Sequence, residues 1–202
     1  MNRAAFAAII VIAVLAAFLL SFNIPRETPS QVRLFAPAVL EDGTGAIVPF
    51  TLTLRPGTGR MLVDIDNAFF KQDVENSLRK ARVAASSAVG ASFEQYDIEV
   101  GVVGSRVVSG ESAGALFTVG IASLAAGRTV RSDVIVSATV SESGALGVVD
   151  GIDEKIAAAA DAGKTLFIVA AGQEIRNEES LSQRIRIERV GTARDVIELM
   201  LS

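Results

Sequence analysis

The chain contains no cysteine, histidine or tryptophan, and only one tyrosine. Without cysteine there is no disulfide, no zinc–thiolate site and no cysteine nucleophile. Without histidine every Ser–His–Asp arrangement is excluded, so a serine hydrolase built from this chain needs another base, for which lysine is the known alternative. Lysine is itself scarce: Lys71, Lys80, Lys155 and Lys164 are the only four. Positive charge is not clustered either. A net charge of -4 over 202 residues, with lysine and arginine dispersed, leaves no electrostatic footprint for nucleic acid. A phosphate-binding loop is also missing. Gly163-Lys164-Thr165 has the ending of one, but the required first glycine is Ala158, and the lysine would follow a helix and precede a strand, the reverse of the needed order. No nucleotide site is recognisable in this chain.

What is present is apolar: half of the residues, including one stretch at 4–22 broken only by Ser21. As a helix it spans roughly 28 Å, close to a hydrocarbon core. It reads as a membrane helix or a secretory signal. Its length, and the poor cleavage site at Ser21-Phe22-Asn23, favour an uncleaved single-pass anchor over residues 1–23. Arg3 on one side faces Arg26 and Arg33 on the other, so the positive-inside comparison is nearly balanced; the orientation adopted puts the amino end inside and the domain outside, extracytoplasmic. Residues 24–32, with Pro25 and Pro29, read as a short stiff linker. The remainder, 170 residues, suits one domain with a sizeable core over residues 33–202.

That domain begins with apolar or alternating runs at 33–40, 46–54 and 60–66, separated by turn compositions, which predicts an antiparallel meander. Asp66-Asn67 is placed to cap a helix over 68–89, with Phe70, Val74, Leu78, Ala81 and Ala85 on one stripe and Gly90 as its stop. Lys71 and Lys80 lie on this helix and read as solvated charges pairing with Asp73, Glu75 and their neighbours. Strands are predicted at 96–103, 134–140, 145–149, 165–170 and 185–190, the run at 165–170 buried on both faces. Helices are predicted from Ala113 to a stop at Gly127, over 153–162 with Gly163 closing it, and over 192–201. Interleaved strands and helices that start with a meander predict an α+β domain with antiparallel or mixed sheets and packed helices.

Chemistry concentrates in two places, Ser109-Gly110-Glu111-Ser112-Ala113-Gly114 and Gly151-Ile152-Asp153-Glu154-Lys155. Ala113, Leu116, Phe117, Gly120, Ile121 and Leu124 recur with helical period, so Ser112 opens a helix with one buried face. At such a terminus the first backbone N–H groups lack intrahelical partners, which puts the hydroxyl beside a ready site for an oxyanion. Lys155 sits between Ile152, Ile156 and alanines in the first turn of its helix, where both burial and the helix dipole disfavour an ammonium. Asp153 and Glu154 would oppose that shift if they pointed inward, so both are expected to face solvent.

These residues resemble the proteolytic domain of the ATP-dependent Lon proteases, which use a Ser-Lys dyad. The family's Gly-x-Ser-Ala-Gly nucleophile motif stands here as Gly110, Ser112, Ala113 and Gly114. Its Gly-x-x-Val-Arg-x-Asp segment is matched by Gly127, Val130, Arg131 and Asp133, its hairpin glycine by Gly144, and its Gly-x-x-Glu-Lys by Gly151, Glu154 and Lys155. The family lysine lies forty-three residues beyond the serine, as Lys155 does beyond Ser112. Ala158, Ala159, Ala162 and Gly163 continue the pattern, and the match is specific over residues 100–172. The chain departs from the family at Ser109, where aspartate is usual, and at Glu111, where proline is usual. Ser137 replaces a family threonine and keeps a hydroxyl to orient the lysine amine.

The resemblance implies that Ser112 is the nucleophile and Lys155 its general base, with the backbone of Gly110, Glu111 and Ala113 around the oxyanion and Ser137 in support. It implies a serine endopeptidase needing no metal or cofactor and assembled as a homo-oligomeric, hexameric ring. Because the family's ATPase module is not recognisable in this chain, the expected activity is on unfolded or flexible proteins and independent of ATP within this chain. A reading of another class is a catalytically silent Lon-like module that binds partners at the membrane.

Overall fold

The computed structural model describes residues 30–64, 68–102 and 111–202. The apolar run at 4–22, the prolines after it, the cap at Asp66-Asn67 and the loop through Ser109 and Gly110 lie outside the described residues. Among the described residues, no helix is long and apolar enough to cross a membrane.

Strands β1 (Ser30–Val39) and β2 (Gly45–Pro56) form an antiparallel hairpin in which Val39 faces Gly45. β1 starts at Ser30, so the end of the expected linker is already strand. The turn is fastened by Asp42, whose carboxylate accepts the Thr44 N–H at 2.9 Å and the Thr44 hydroxyl at 2.6 Å. Val48, Phe50, Leu52 and Leu54 are buried on one face of β2, the period-two pattern of a half-covered sheet.

The third strand breaks the expected meander. β3 (Met61–Asp64) pairs in parallel with β4 (Tyr96–Val102), and β4 pairs antiparallel with β2, giving the order β1-β2-β4-β3. The cause is helix α1 (Ala68–Val89), which returns the chain to the sheet in the direction it left, as a crossover helix does. Val74, Leu78, Ala81 and Ala85 of α1 are buried, and Gly90, at φ +71°, ends it. Asp97 of β4 locks the turn before β3: its buried carboxylate accepts the N–H groups of Thr58 (2.8 Å) and Arg60 (3.0 Å) and the Arg60 guanidinium (3.0 and 2.6 Å).

A 3₁₀ turn, Glu111–Ala113, leads into α2 (Gly114–Ala126). Every residue from Gly114 through Ser123 is buried, so this helix threads the core rather than presenting one face to it. A Cβ at Gly120 would lie 2.7 Å from Leu34 Cδ1, so the glycine lets the β1–β2 sheet press onto the helix. The two buried hydroxyls along it are satisfied locally, Thr118 donating to the Gly114 carbonyl at 2.9 Å and Ser123 to the Arg128 carbonyl at 2.7 Å.

The expected strand over 134–140 is two strands. β5 (Val134–Ser137) joins a parallel sheet of order β5-β8-β9 with β8 (Leu166–Ala170) and β9 (Arg186–Val190), whereas β6 (Thr139–Val140) pairs with β7 (Leu146–Gly147). Between them the Ala138 carbonyl accepts the Ala115 N–H at 3.2 Å, turning the chain over the start of α2. Helix α3 (Ile152–Asp161), the short α4 (Glu178–Ser182) and α5 (Ala193–Met200) complete the domain. One apolar cluster joins the first sheet to α1, α2 and α5; a second gathers Ile135, Ile152, Ile156, Phe167 and Leu181 around α3. The described residues are thus α+β with mixed sheets.

Candidate active site

Ser112 lies in the 3₁₀ turn, held at the start of α2 by close packing on two sides. A Cβ on Gly114 would stand 3.0 Å from both the Val140 nitrogen and Cγ1 and 3.1 Å from Ser77 Oγ, so glycine lets α1 and β6 close on the turn. The side chain of Lys80, read from sequence as a solvated partner of Asp73 or Glu75, instead reaches across from α1 to Glu111 at 3.5 Å. Glu75 pairs with Arg79. Ser112 is 7% exposed, and a buried 3₁₀ turn replaces the helix start expected there.

Lys155 is placed by the hairpin and by glycine. Gly151 precedes α3 at φ +63°, and a Cβ there would meet Val39 Cγ2 at 2.5 Å. Gly45 is tighter still, since its Cβ would lie 2.1 Å from the Glu154 carbonyl oxygen. The tip of the β1–β2 hairpin therefore touches the backbone of the first turn of α3. Lys155 itself is 4% exposed, and burial lowers its pKa from 10.5 to about 8 against the opposing pull of the Asp150 and Glu154 carboxylates.

The acidic neighbours do not behave as the sequence suggests. Asp153 is buried, its carboxylate accepting the backbone N–H of Asn177 at 2.7 Å and of Arg176 at 3.3 Å. Glu154 is half-buried, one oxygen 3.7 Å from Arg176 and the other buried with no hydrogen-bond partner among the described residues.

Ser112 and Lys155 line one cavity of about 360 Å³, together with Ala38, Val39, Glu111, Thr139, Val148, Val149, Asp150 and Gly151. Val148, 56% exposed, is an uncovered apolar side chain at its edge. The structure thus brings Ser112, Lys155 and Glu111 to one cavity. Ala113 is buried behind the turn, outside the lining. Ser137, at the end of β5, is fully buried with its hydroxyl unpartnered among the described residues and does not line the cavity. Gly110 lies outside the described residues. Lys164, the lysine of the false phosphate loop, donates to the Ser132 carbonyl at 2.6 Å and stands 5.1 Å over the Phe35 ring.

Sequence reasoning missed the apolar wall of Val39, Val148 and Val149, and Thr139 on β6. Asp150, immediately before Gly151, carried a visible signal as a carboxylate beside the lysine's helix. A serine hydroxyl and a buried lysine lining one cavity are the groups that nucleophilic acyl transfer without histidine uses.

Residues 45–202 match the family described as the Lon protease (S16) C-terminal proteolytic domain. Similar proteins include a Lon protease of Phenylobacterium zucineum, strain HLK1, 34% identical over 131 residues that cover 63% of this chain and 16% of the relative. Another is Lon protease 2 of Syntrophobacter fumaroxidans, strain DSM 10017 / MPOB, 32% identical over 166 residues, or 78% of this chain and 21% of the relative. A Lon protease of Paraburkholderia phytofirmans, strain DSM 17436 / LMG 22146 / PsJN, is 36% identical over 120 residues, 57% of this chain and 15% of the relative. The matched regions amount to between 15% and 21% of the length of these relatives. On the extent of the family match, which takes in the 3₁₀ turn with Ser112 and the α3 helix with Lys155, this chain belongs to the Lon protease (S16) C-terminal proteolytic domain family.

Proposed function

We propose that this chain is a serine endopeptidase in which Ser112 and Lys155 act as a dyad on unfolded or flexible polypeptides. The observation that carries the reading is the shared cavity: a hydroxyl in a tight buried turn and a 96%-buried lysine line the same space. Lys155 in its neutral form takes the Ser112 proton as the oxygen attacks a peptide carbonyl. The tetrahedral intermediate collapses when the lysine ammonium returns that proton to the leaving amine, and a water activated by the same amine then hydrolyses the acyl-enzyme. Backbone N–H groups around Glu111 and Ala113, with Gly110 before them, stabilise the oxyanion. Ser137, buried with its hydroxyl free of partners among the described residues, takes the supporting role toward the lysine.

The relatives are named proteases, and the domain family is a proteolytic one, which favours peptide bonds over other acyl substrates. Nothing in this mechanism requires a nucleotide, a metal or a cofactor. We further propose that residues 4–22 tether the domain to a membrane, with the domain on the outer side, and that the chains assemble as a ring. Resistance of the full chain to alkaline extraction from membranes tests the first, and sedimentation equilibrium in detergent the second.

Labelling with a fluorophosphonate tests the dyad itself. The adduct is expected on Ser112 and is expected to be lost in Lys155→Ala; an adduct on another residue, or undiminished labelling without the lysine, overturns the assignment. A protein that folds but neither labels nor cleaves would point to a silent binding module.

A further inference from the structure

The cavity wall and the lysine helix meet at Gly151, and the wall itself belongs to no strand or helix. β7 ends at Gly147 and α3 begins at Ile152, so Val148, Val149 and Asp150 belong to no ladder. The segment after β8 holds both sides of that junction. Gln173, only 8% exposed, turns its side-chain amide onto the Val149 peptide: Oε1 accepts the Val149 N–H at 2.9 Å, and Nε2 donates to the Val149 carbonyl at 3.1 Å and to the Glu174 carbonyl at 3.2 Å. This supplies the two main-chain bonds that a neighbouring strand would give. Three and four residues later, the N–H groups of Arg176 and Asn177 donate to the Asp153 carboxylate. Ile175 between them is buried in the cluster around α3.

We propose that Gln173 and Asp153 are positioning residues of the Ser112–Lys155 site, forming a two-point brace across Gly151. Gln173 sets the Val148–Asp150 wall against which the substrate lies, and Asp153 fixes the first turn of α3, from which Lys155 reaches the cavity. Asp153 acts through geometry: its charge is taken up by two backbone N–H groups and by Arg176 Nε at 4.0 Å, and the carboxylates that bear on the Lys155 amine are those of Asp150 and Glu154. The inference rests on the proposed peptidase reading and adds the division of labour between wall and base.

The test compares the full 202-residue chain with Gln173→Leu, Gln173→Glu, Asp153→Ala and Asp153→Asn in detergent. The readouts are kcat and KM on a fluorogenic peptide and the rate of Ser112 phosphonylation, all per folded molecule by circular dichroism. Gln173→Leu, which removes all three bonds, is expected to raise KM about tenfold with kcat within about twofold, the lower end of the cost of leaving the Val149 N–H and carbonyl unpaired. Asp153→Ala is expected to lower kcat and the phosphonylation rate about tenfold with little change in KM. Asp153→Asn keeps one acceptor oxygen in place and is expected to recover part of the loss. Gln173→Glu keeps the acceptor for the Val149 N–H but sets its other oxygen against the Val149 and Glu174 carbonyls, and is expected to show no recovery. Should Gln173→Leu not fold, the glutamate variant carries that arm. Parent values of kcat, KM and phosphonylation rate in the folded variants overturn the brace while leaving the peptidase reading intact. A parent chain that neither cleaves nor labels overturns both.

Discussion

Lys155 can serve as a base only as the free amine, and its burial both makes that form accessible and imposes a cost. With a pKa of about 8, roughly one molecule in ten carries the neutral amine at pH 7. The peptidase rate, kcat/KM on a neutral peptide, should therefore climb about tenfold from pH 7 and level off above pH 8; a flat profile between pH 6 and 9 would contradict a lysine base. The stability sign follows from the same shift. The unfolded chain holds the lysine proton up to about 10.5 and the folded chain releases it near 8, so unfolding takes up a proton between those values and folding stability rises with pH across that window. Lys155→Met, apolar and of similar length, should abolish activity yet stabilise the fold at pH 7 by about 2–3 kcal/mol, read as a higher Tm. A lower Tm would mean that the amine is held by favourable contacts.

At the scale of elements, the site depends on the hairpin pressing against α3. Gly45→Ala drives a methyl into the Glu154 carbonyl, a backbone atom with no room to yield. It should cost about 1–3 kcal/mol or more and lower the Ser112 labelling rate more than a change of equal ΔΔG remote from α3. Asp97 holds the other end of the sheet. Bonds from the Arg60 guanidinium and from the Thr58 and Arg60 backbone hold its pKa well below the usual carboxylate range. Its contribution is present above about pH 4 and lost as the pH falls through the folded-state value. Asp97→Asn should accordingly lower Tm at pH 7 and narrow the difference from the parent toward pH 3; a difference independent of pH would rule out a charge-dependent role.

Much at this scale was legible in the sequence, and the exceptions have physical reasons. The span of α1 follows from a long helical period closed by Gly90, and β8 from an apolar run lying between two parallel strands. The parallel pairing of β3 did not, because strand composition carries no direction and only the crossover through α1 sets it. The split at Ala138 was hidden because 134–140 reads as one strand-like run of Val, Ile, Ser, Ala and Thr with no turn residue to break it. α4 is a single turn, too short for a period. Gln173 left no trace in the sequence because its partner, Val149, is 24 residues away and contributes only backbone atoms.

For the whole molecule, the sequence pattern and the structure converge on one cavity shared by two segments far apart in the chain. The pair Ser112 and Lys155 was legible because spacing in a family motif records what the fold brings together; the valine wall was not, since single apolar residues carry no motif. The most direct test is hydrolysis of casein by the full chain with no nucleotide added, beside Ser112→Ala and Lys155→Ala. The expected result is cleavage by the parent and none above background by either variant, each with the parent's circular dichroism spectrum. Cleavage that survives in either folded variant, or its absence in a folded parent across pH 7 to 9, would contradict it.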